Sequence, residues 1–216
     1  ALKSIVSGYR KQGITVFKPG DAEYDRVKAI SERIIAASHY ANRKGIRFEV
    51  IDLDDKNAFA TGGGNFAVYN GLMKAANDDA LAYVIAHELV HNVANHVEEQ
   101  LPMVLLNAKR GASAAIAYTN VQEQEADKVA LVYTALAGYD PCASVSFQSK
   151  VPISLWETTH PSTPRRAITN KFNCVKVKKY RVPGKVSPDV QKVLQCNELF
   201  CNKGGSNSTV GGLFEL

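Results

Sequence analysis

One segment sets the terms for the rest of the chain. From Asp78 to Val93 the sequence reads DDALAYVIAHELVHNV, with Leu81, Val84, Ile85, Leu89 and Val93 supplying apolar contacts. Asn77 suits an N-cap, acids follow in the first turn, and Pro102 marks the expected end. A helix this apolar must be largely buried. Inside it lies His87-Glu88-Leu89-Val90-His91. Residues four apart share a helix face, about 6 Å apart along the axis, so two imidazoles can reach one metal ion. Glu88 sits one step round, where its carboxylate meets a metal-held water rather than the metal. Zinc lowers the pKa of such a water to about 7 and polarises a carbonyl. Glu88 can then act as general base and return the proton to a leaving amine. By chance this pattern arises on the order of once in 200 such chains. The bland alternative is a helix with two structural histidines.

A third ligand is required. The metzincin spacing asks for Gly and His at positions held by Ala94 and Val97, so that class is excluded. His96, five residues after His91, is rotated off the ligand face and reads as a structural or surface histidine. A second helix, from about Val121 to Leu136 and stopping at Gly138, carries Glu123, Glu125 and Asp127. Glu123 and Asp127 share a face. Glu123 can complete the zinc set, and Asp127 can accept the distal N–H of a ligand histidine. Glu125 points away and reads as solvated.

The remaining pattern is mixed. Ala22 to Ser38 has helical period, with Val27, Ile30, Ile34 and Ile35 on one face. Arg47 to Leu53 alternates as a strand. Ala58 to Tyr69 is extended around Gly62-Gly63-Gly64, where a bend or close backbone approach is expected. Pro102 to Tyr118, rich in Ala, Leu and Val, reads as a lid, a helical hairpin or a membrane-facing surface. After Asn170 the chain turns basic, then Cys-containing, then Gly/Ser-rich. The expected division is therefore a domain over 1–170 and an extension over 171–216, packed on it or trailing from it.

At 216 residues with 45% apolar composition, the chain can bury a sizeable core. Its net charge of +5 suits an acidic surface such as a lipid headgroup layer. The one basic run, Lys176, Lys178, Lys179 and Arg181, reads as a solvated face. It lacks a nucleic-acid motif, so no nucleic-acid partner is expected. No apolar run is long enough to cross a bilayer, and Ala1-Leu2-Lys3 shows no signal-peptide pattern. A mature or trimmed exported form agrees with that. Four cysteines in the C-terminal third read as disulfides in an oxidising compartment, against the alternative of buried thiols. Three pairings are open. Cys196 with Cys201 and Cys142 with Cys174 is the expected one.

Several pieces also occur in the order of a known family. NAFATGGG (57–64), FAVYNGLM (66–73), HELVHNVANH (87–96), EQEAD (123–127), AGYDP (137–141) and THPSTPRR (159–166) together resemble the HtpX-like and CAAX-prenyl-protease-like zinc metallopeptidases. Their soluble periplasmic members are the most similar. The resemblance spans roughly residues 22–171. It implies a gluzincin: an α+β, mostly helical, zincin-like domain with a small sheet whose edge strand flanks the active-site helix. It implies one Zn2+ per chain on His87, His91 and Glu123, with Glu88 catalytic and Asp127 behind the ligands. Val90 departs from the pattern, since relatives often carry Gly there, and the tail after Asn170 has no counterpart.

The resemblance also puts a His-Pro segment near the cleft. His160 can cap the zinc reversibly or hydrogen-bond an oxyanion, and Arg166 can supply positive charge to that oxyanion. Alternatively, both only pin the loop. Gly64, Asn65, Phe66, Ala67 and Val68 are the candidate edge for an extended polypeptide substrate. The expected function is endopeptidase action on unfolded or misfolded envelope proteins, in the periplasm or at the outer membrane, with peripheral membrane association and latency through His160. A metal-binding chaperone-like module with little proteolysis is the alternative. A structural metal protein would need a permanent fourth ligand. Oligomeric state stays open.

Overall fold

Helices dominate the structure, a computed structural model that describes residues 1–100, 119–148, 160 and 164–195. The helices are α1 (Leu2–Lys11), α2 (Ala22–Ala36), α3 (Asn70–Ala75), α4 (Asp78–Val93), α5 (Asn120–Leu136), α6 (Ala143–Gln148), α7 (Pro164–Val177) and α8 (Val190–Gln195). The strands are β1 (Val16–Phe17), β2 (Phe48–Ile51), β3 (Ala58–Gly62) and β4 (Asn65–Tyr69), in spatial order β1-β2-β4-β3. This is the mostly helical α+β arrangement with a small sheet. Expectations for Pro102 to Tyr118, for Cys196 with Cys201 and for the Gly/Ser-rich tail lie outside the described residues.

The sheet is mixed. β2 and β4 run parallel, with Val50 opposite Val68, whereas β3 and β4 form an antiparallel hairpin with Ala60 opposite Phe66. This corrects one expectation. Asn65 to Val68 do not form an edge, because β4 is hydrogen-bonded on both sides. The strand beside α4 with an unpaired side, among the described residues, is β3. Gly62, Gly63 and Gly64 all have positive φ (79°, 65° and 87°), a run that side chains disfavour, and they close this hairpin. Asn92 of α4 then clamps it. Its Oδ1 accepts from Gly64 N at 3.0 Å and its Nδ2 donates to Asn65 O at 3.2 Å.

Helix α4 begins as expected, with Asn77 Oδ1 accepting from Ala80 N at 2.9 Å. Every residue from Ala80 to Val93 is buried, because α5 and α2 pack against it as well as β3 and β4. Each of Leu81, Ile85 and Leu89 buried this way contributes about 1.5–3 kcal/mol. The helix stops earlier than Pro102 predicts. Ala94 caps it and Asn95 takes φ 59°, after which residues 96–100 turn helical again. Asn is among the few residues that enter this left-handed region readily.

Residue 171 falls inside α7. Beyond it Cys174, Val177, Val190, Val193 and Leu194 join the main hydrophobic core. Cys174 is disulfide-bonded to Cys142, the expected pairing, across 32 residues of sequence. On the chain-entropy account a loop of that length stabilises by about 4 kcal/mol.

Candidate metal centre

Helix geometry carries the first two donors. His87 and His91 Nε2 atoms lie 3.0 Å apart, both rings fully buried. The third comes from the first turn of α5. A capping box fixes that turn: Gln122 N donates to Thr119 Oγ1 at 3.2 Å, and Thr119 N to Gln122 Oε1 at 3.0 Å. The next residue, Glu123, is thereby aimed at α4. Its Oε2 is 3.4 Å from His87 Nε2 and its Oε1 3.3 Å from His91 Nε2.

These spacings test whether a metal fits. Zinc with bonds of about 2.0–2.1 Å requires tetrahedral donors about 3.3–3.4 Å apart. The edges here are 3.0, 3.4 and 3.3 Å. Two imidazoles with facing nitrogens and a carboxylate, all removed from water, form a poor hydrogen-bonded core but a suitable donor set. His160 joins them, and the four residues each offer an atom within 4.8 Å of the others. Its Nδ1 is 3.0 Å from Glu123 Oε1 and its Nε2 3.3 Å from Glu88 Oε1. It is thus wedged between the ligand carboxylate and the motif's own glutamate.

Behind His87 stands Asp127, with Oδ1 3.2 Å from His87 Nδ1. Arg166 grips Asp127 with two nitrogens, Nε to Oδ2 at 2.7 Å and Nη2 to Oδ1 at 2.9 Å. Its Nη1 is 2.7 Å from Glu123 Oε2. Tyr83 OH donates to Asp127 Oδ1 at 2.7 Å and accepts from Asn170 Nδ2. Arg166 therefore binds Glu123 and Asp127 at once and crosslinks α7 to the centre.

A second chain stands behind His91 and was not foreseen. His91 Nδ1 is 3.0 Å from His96 Nδ1, and His96 Nε2 is 3.3 Å from Glu125 Oε2. With His91 Nε2 facing the donor group, its Nδ1–H donates to His96, whose Nε2–H donates to Glu125. Glu125 is thus paired and its side chain only 14% exposed, not solvated. His96 is buried, not on the surface. Regular helix geometry would rotate His96 away, but the break at Asn95 returns it. An Asn directly before a His, after an apolar helix, was the available signal.

Charge is unevenly distributed. Burial opposes a charged His87, yet Glu123 and Asp127 outweigh it and raise its pKa to about 10. Burial dominates for His91 and holds it well below the usual value. Burial also pushes the Glu88 carboxyl up, against the pull of His160, His87 and the Ala60 backbone. A raised carboxyl beside a metal-donor cluster suits a proton acceptor working near neutral pH.

Residues 21–120 match the model of peptidase family M48. Over these residues the chain is similar to that family. It is 30% identical over 166 residues to the mitochondrial metalloendopeptidase OMA1 of Arabidopsis thaliana, covering 65% of this chain and 34% of that protein. It is 33% identical over 98 residues to metalloprotease LoiP of Escherichia coli, covering 45% and 38%. It is also 28% identical over 134 residues to the beta-barrel assembly-enhancing protease of E. coli, covering 48% and 28%. The chain spans about a third of the length of these three relatives. The M48 match holds His87, Glu88 and His91 but ends before Glu123. Bringing Glu123, Asp127, His160 and Arg166 to the same place is the work of the tertiary structure.

Proposed function

We propose that this chain is a zinc-dependent endopeptidase. The observation that carries the reading is the near-tetrahedral spacing of His87, His91 and Glu123 with a buried Glu88 beside it. Zinc, when bound, supplies a Lewis acid that acidifies water and polarises a peptide carbonyl. Glu88 takes the proton from the attacking water and delivers it to the departing amide nitrogen. Asp127 accepts from His87 Nδ1 and keeps Nε2 as the donor. Arg166 acts on the reaction through Glu123 and Asp127.

His160 holds the resting site shut in this reading. Its ring occupies the space between Glu88 and Glu123 that a scissile bond must enter. Displacing the His160 ring frees the base. His160→Ala should then raise basal proteolysis, and unchanged or lower activity refutes latency. The substrate backbone pairs with the free side of β3, so the binding strip moves from Gly64–Val68 to residues 58–62. Backbone pairing with little side-chain readout suits unfolded or misfolded polypeptides. An exported, oxidising setting, in the periplasm or at the outer membrane, is supported by Cys142–Cys174 and by the likeness to LoiP. The catalytic unit takes in residues 1–170 together with α7 and α8, whose Cys174, Val177, Val190, Val193 and Leu194 share its core.

The test compares casein cleavage by wild type and Glu88→Gln, with zinc content measured on both. Loss of at least about 100-fold at unchanged zinc is expected. Equal cleavage by the two proteins refutes the peptidase reading and favours a binding module.

A further inference from the structure

Helix α7 has an outer face that its inner face does not explain. Arg166, Asn170, Asn173, Cys174 and Val177 are buried toward the core. On the opposite side Ile168 is 58% exposed, Phe172 66% and Val175 65%. Steps of four and three residues place them on one stripe. At 100° per residue, Lys171 borders the stripe on one flank and Arg165 and Lys176 on the other. All three cations are exposed. No acidic residue occurs between Glu157 and Asp189. Single exposed apolar residues are ordinary, but an aligned set rimmed by one sign of charge is not.

We propose that this face docks on the headgroup layer of an anionic lipid bilayer. Ile168, Phe172 and Val175 enter the acyl boundary, while Arg165, Lys171 and Lys176 stay at the phosphates with their stems along the apolar surface. The helix is about 21 Å long, enough to lie in the interface and too short to cross it. Charge selects this occupant over a second copy of the chain. A symmetric pairing through this stripe would bring the same cations against each other without an acid to separate them. The inference is independent of the metallopeptidase reading. Arg166, on the inner face of the same helix, ties the docked surface to Glu123 and Asp127.

The test is co-sedimentation of the full chain with vesicles of phosphatidylcholine containing about 30% phosphatidylglycerol, against pure phosphatidylcholine, at physiological salt. Ile168→Ser/Phe172→Ser/Val175→Ser keeps every charge and should lower partitioning by about 30-fold or more. Arg165→Glu/Lys171→Glu/Lys176→Glu should abolish the preference for anionic vesicles. Lys11→Glu/Lys18→Glu/Lys44→Glu makes the same charge change elsewhere and should retain most binding. Equal loss in the two charge variants overturns the proposal, because net charge alone would then account for binding. So does unaltered binding by the serine variant. Dimerisation of the wild type that the serine variant abolishes, with no vesicle binding, replaces lipid by a second copy. Circular dichroism and zinc content confirm that each variant is folded.

Discussion

Replacing Arg166 with methionine removes a buried cation at nearly constant volume. In the wild type its guanidinium makes three contacts of 2.7–2.9 Å with Asp127 and Glu123, whose side chains are 2% and 0% exposed. At that burial, solvent cannot take over the pairing. Breaking a buried ion pair from one side costs about 3–5 kcal/mol, and here one guanidinium serves two carboxylates, so the upper end applies. Against a total stability of about 5–15 kcal/mol, the metal-free protein loses a third or more. With a urea m-value of about 2 kcal/mol/M the midpoint should fall by about 2.5 M. Zinc supplies an alternative countercharge for Glu123 but not for Asp127, so the deficit should shrink to roughly half on zinc loading. A pH arm has a definite sign. Burial raises the Asp127 pKa, but hydrogen bonds from His87 and Arg166 prevail and depress it below its ordinary value of 3.8. Its contribution is present above that value and lost as pH falls through the folded value, so wild type and variant should converge in acid. Urea titrations followed by far-UV circular dichroism measure all three arms. A metal-free deficit below about 1 kcal/mol would show that the pairing contributes no more than an exposed ion pair, and the reasoning would fail.

Three further substitutions probe separate parts of the structure. Glu125→Ala removes the end of the His91–His96 chain and should weaken zinc binding about 10-fold in chelator competition, with the metal-free melting curve unchanged; unaltered affinity rejects an orienting role. Burial raises the Glu49 carboxyl pKa against the pull of Arg10, so its contribution to stability is present below its ordinary value of 4.5 and lost as pH rises through the folded value. Glu49→Gln should therefore raise the urea midpoint at pH 7 more than in acid, and a shift equal at both refutes this. A Cβ on Gly71 would lie 1.9 Å from Asp54 O and 2.3 Å from Asp54 C, backbone atoms that must move. Gly71→Ala should cost about 3 kcal/mol, whereas Gly8→Ala, in α1 with open space around it, should be neutral or stabilising.

Local rules carried the sequence a long way. The spacing of His87 and His91, the Asn77 cap, the period of α2 and the stop at Gly138 are properties of a few adjacent residues, and they need no knowledge of the fold. The apolar run around the motif already demanded a buried helix. Other features depended on packing between distant segments. Pairing alone decides that β4 is internal and β3 borders the free side, since both strands carry similar apolar residues. The turn at Asn95 overrides helical periodicity and sends His96 back to His91, which changes the meaning of Glu125. Arg166 meets Asp127 across 39 residues and His160 meets Glu123 across 37, distances over which sequence sets no geometry. What HELVH determined was a pair of imidazoles on one face of a buried helix. Tertiary structure determined which carboxylate they meet, what stands behind each, and that a third imidazole lies over the glutamate between them, because those contacts exist only once α4, α5 and α7 share one core.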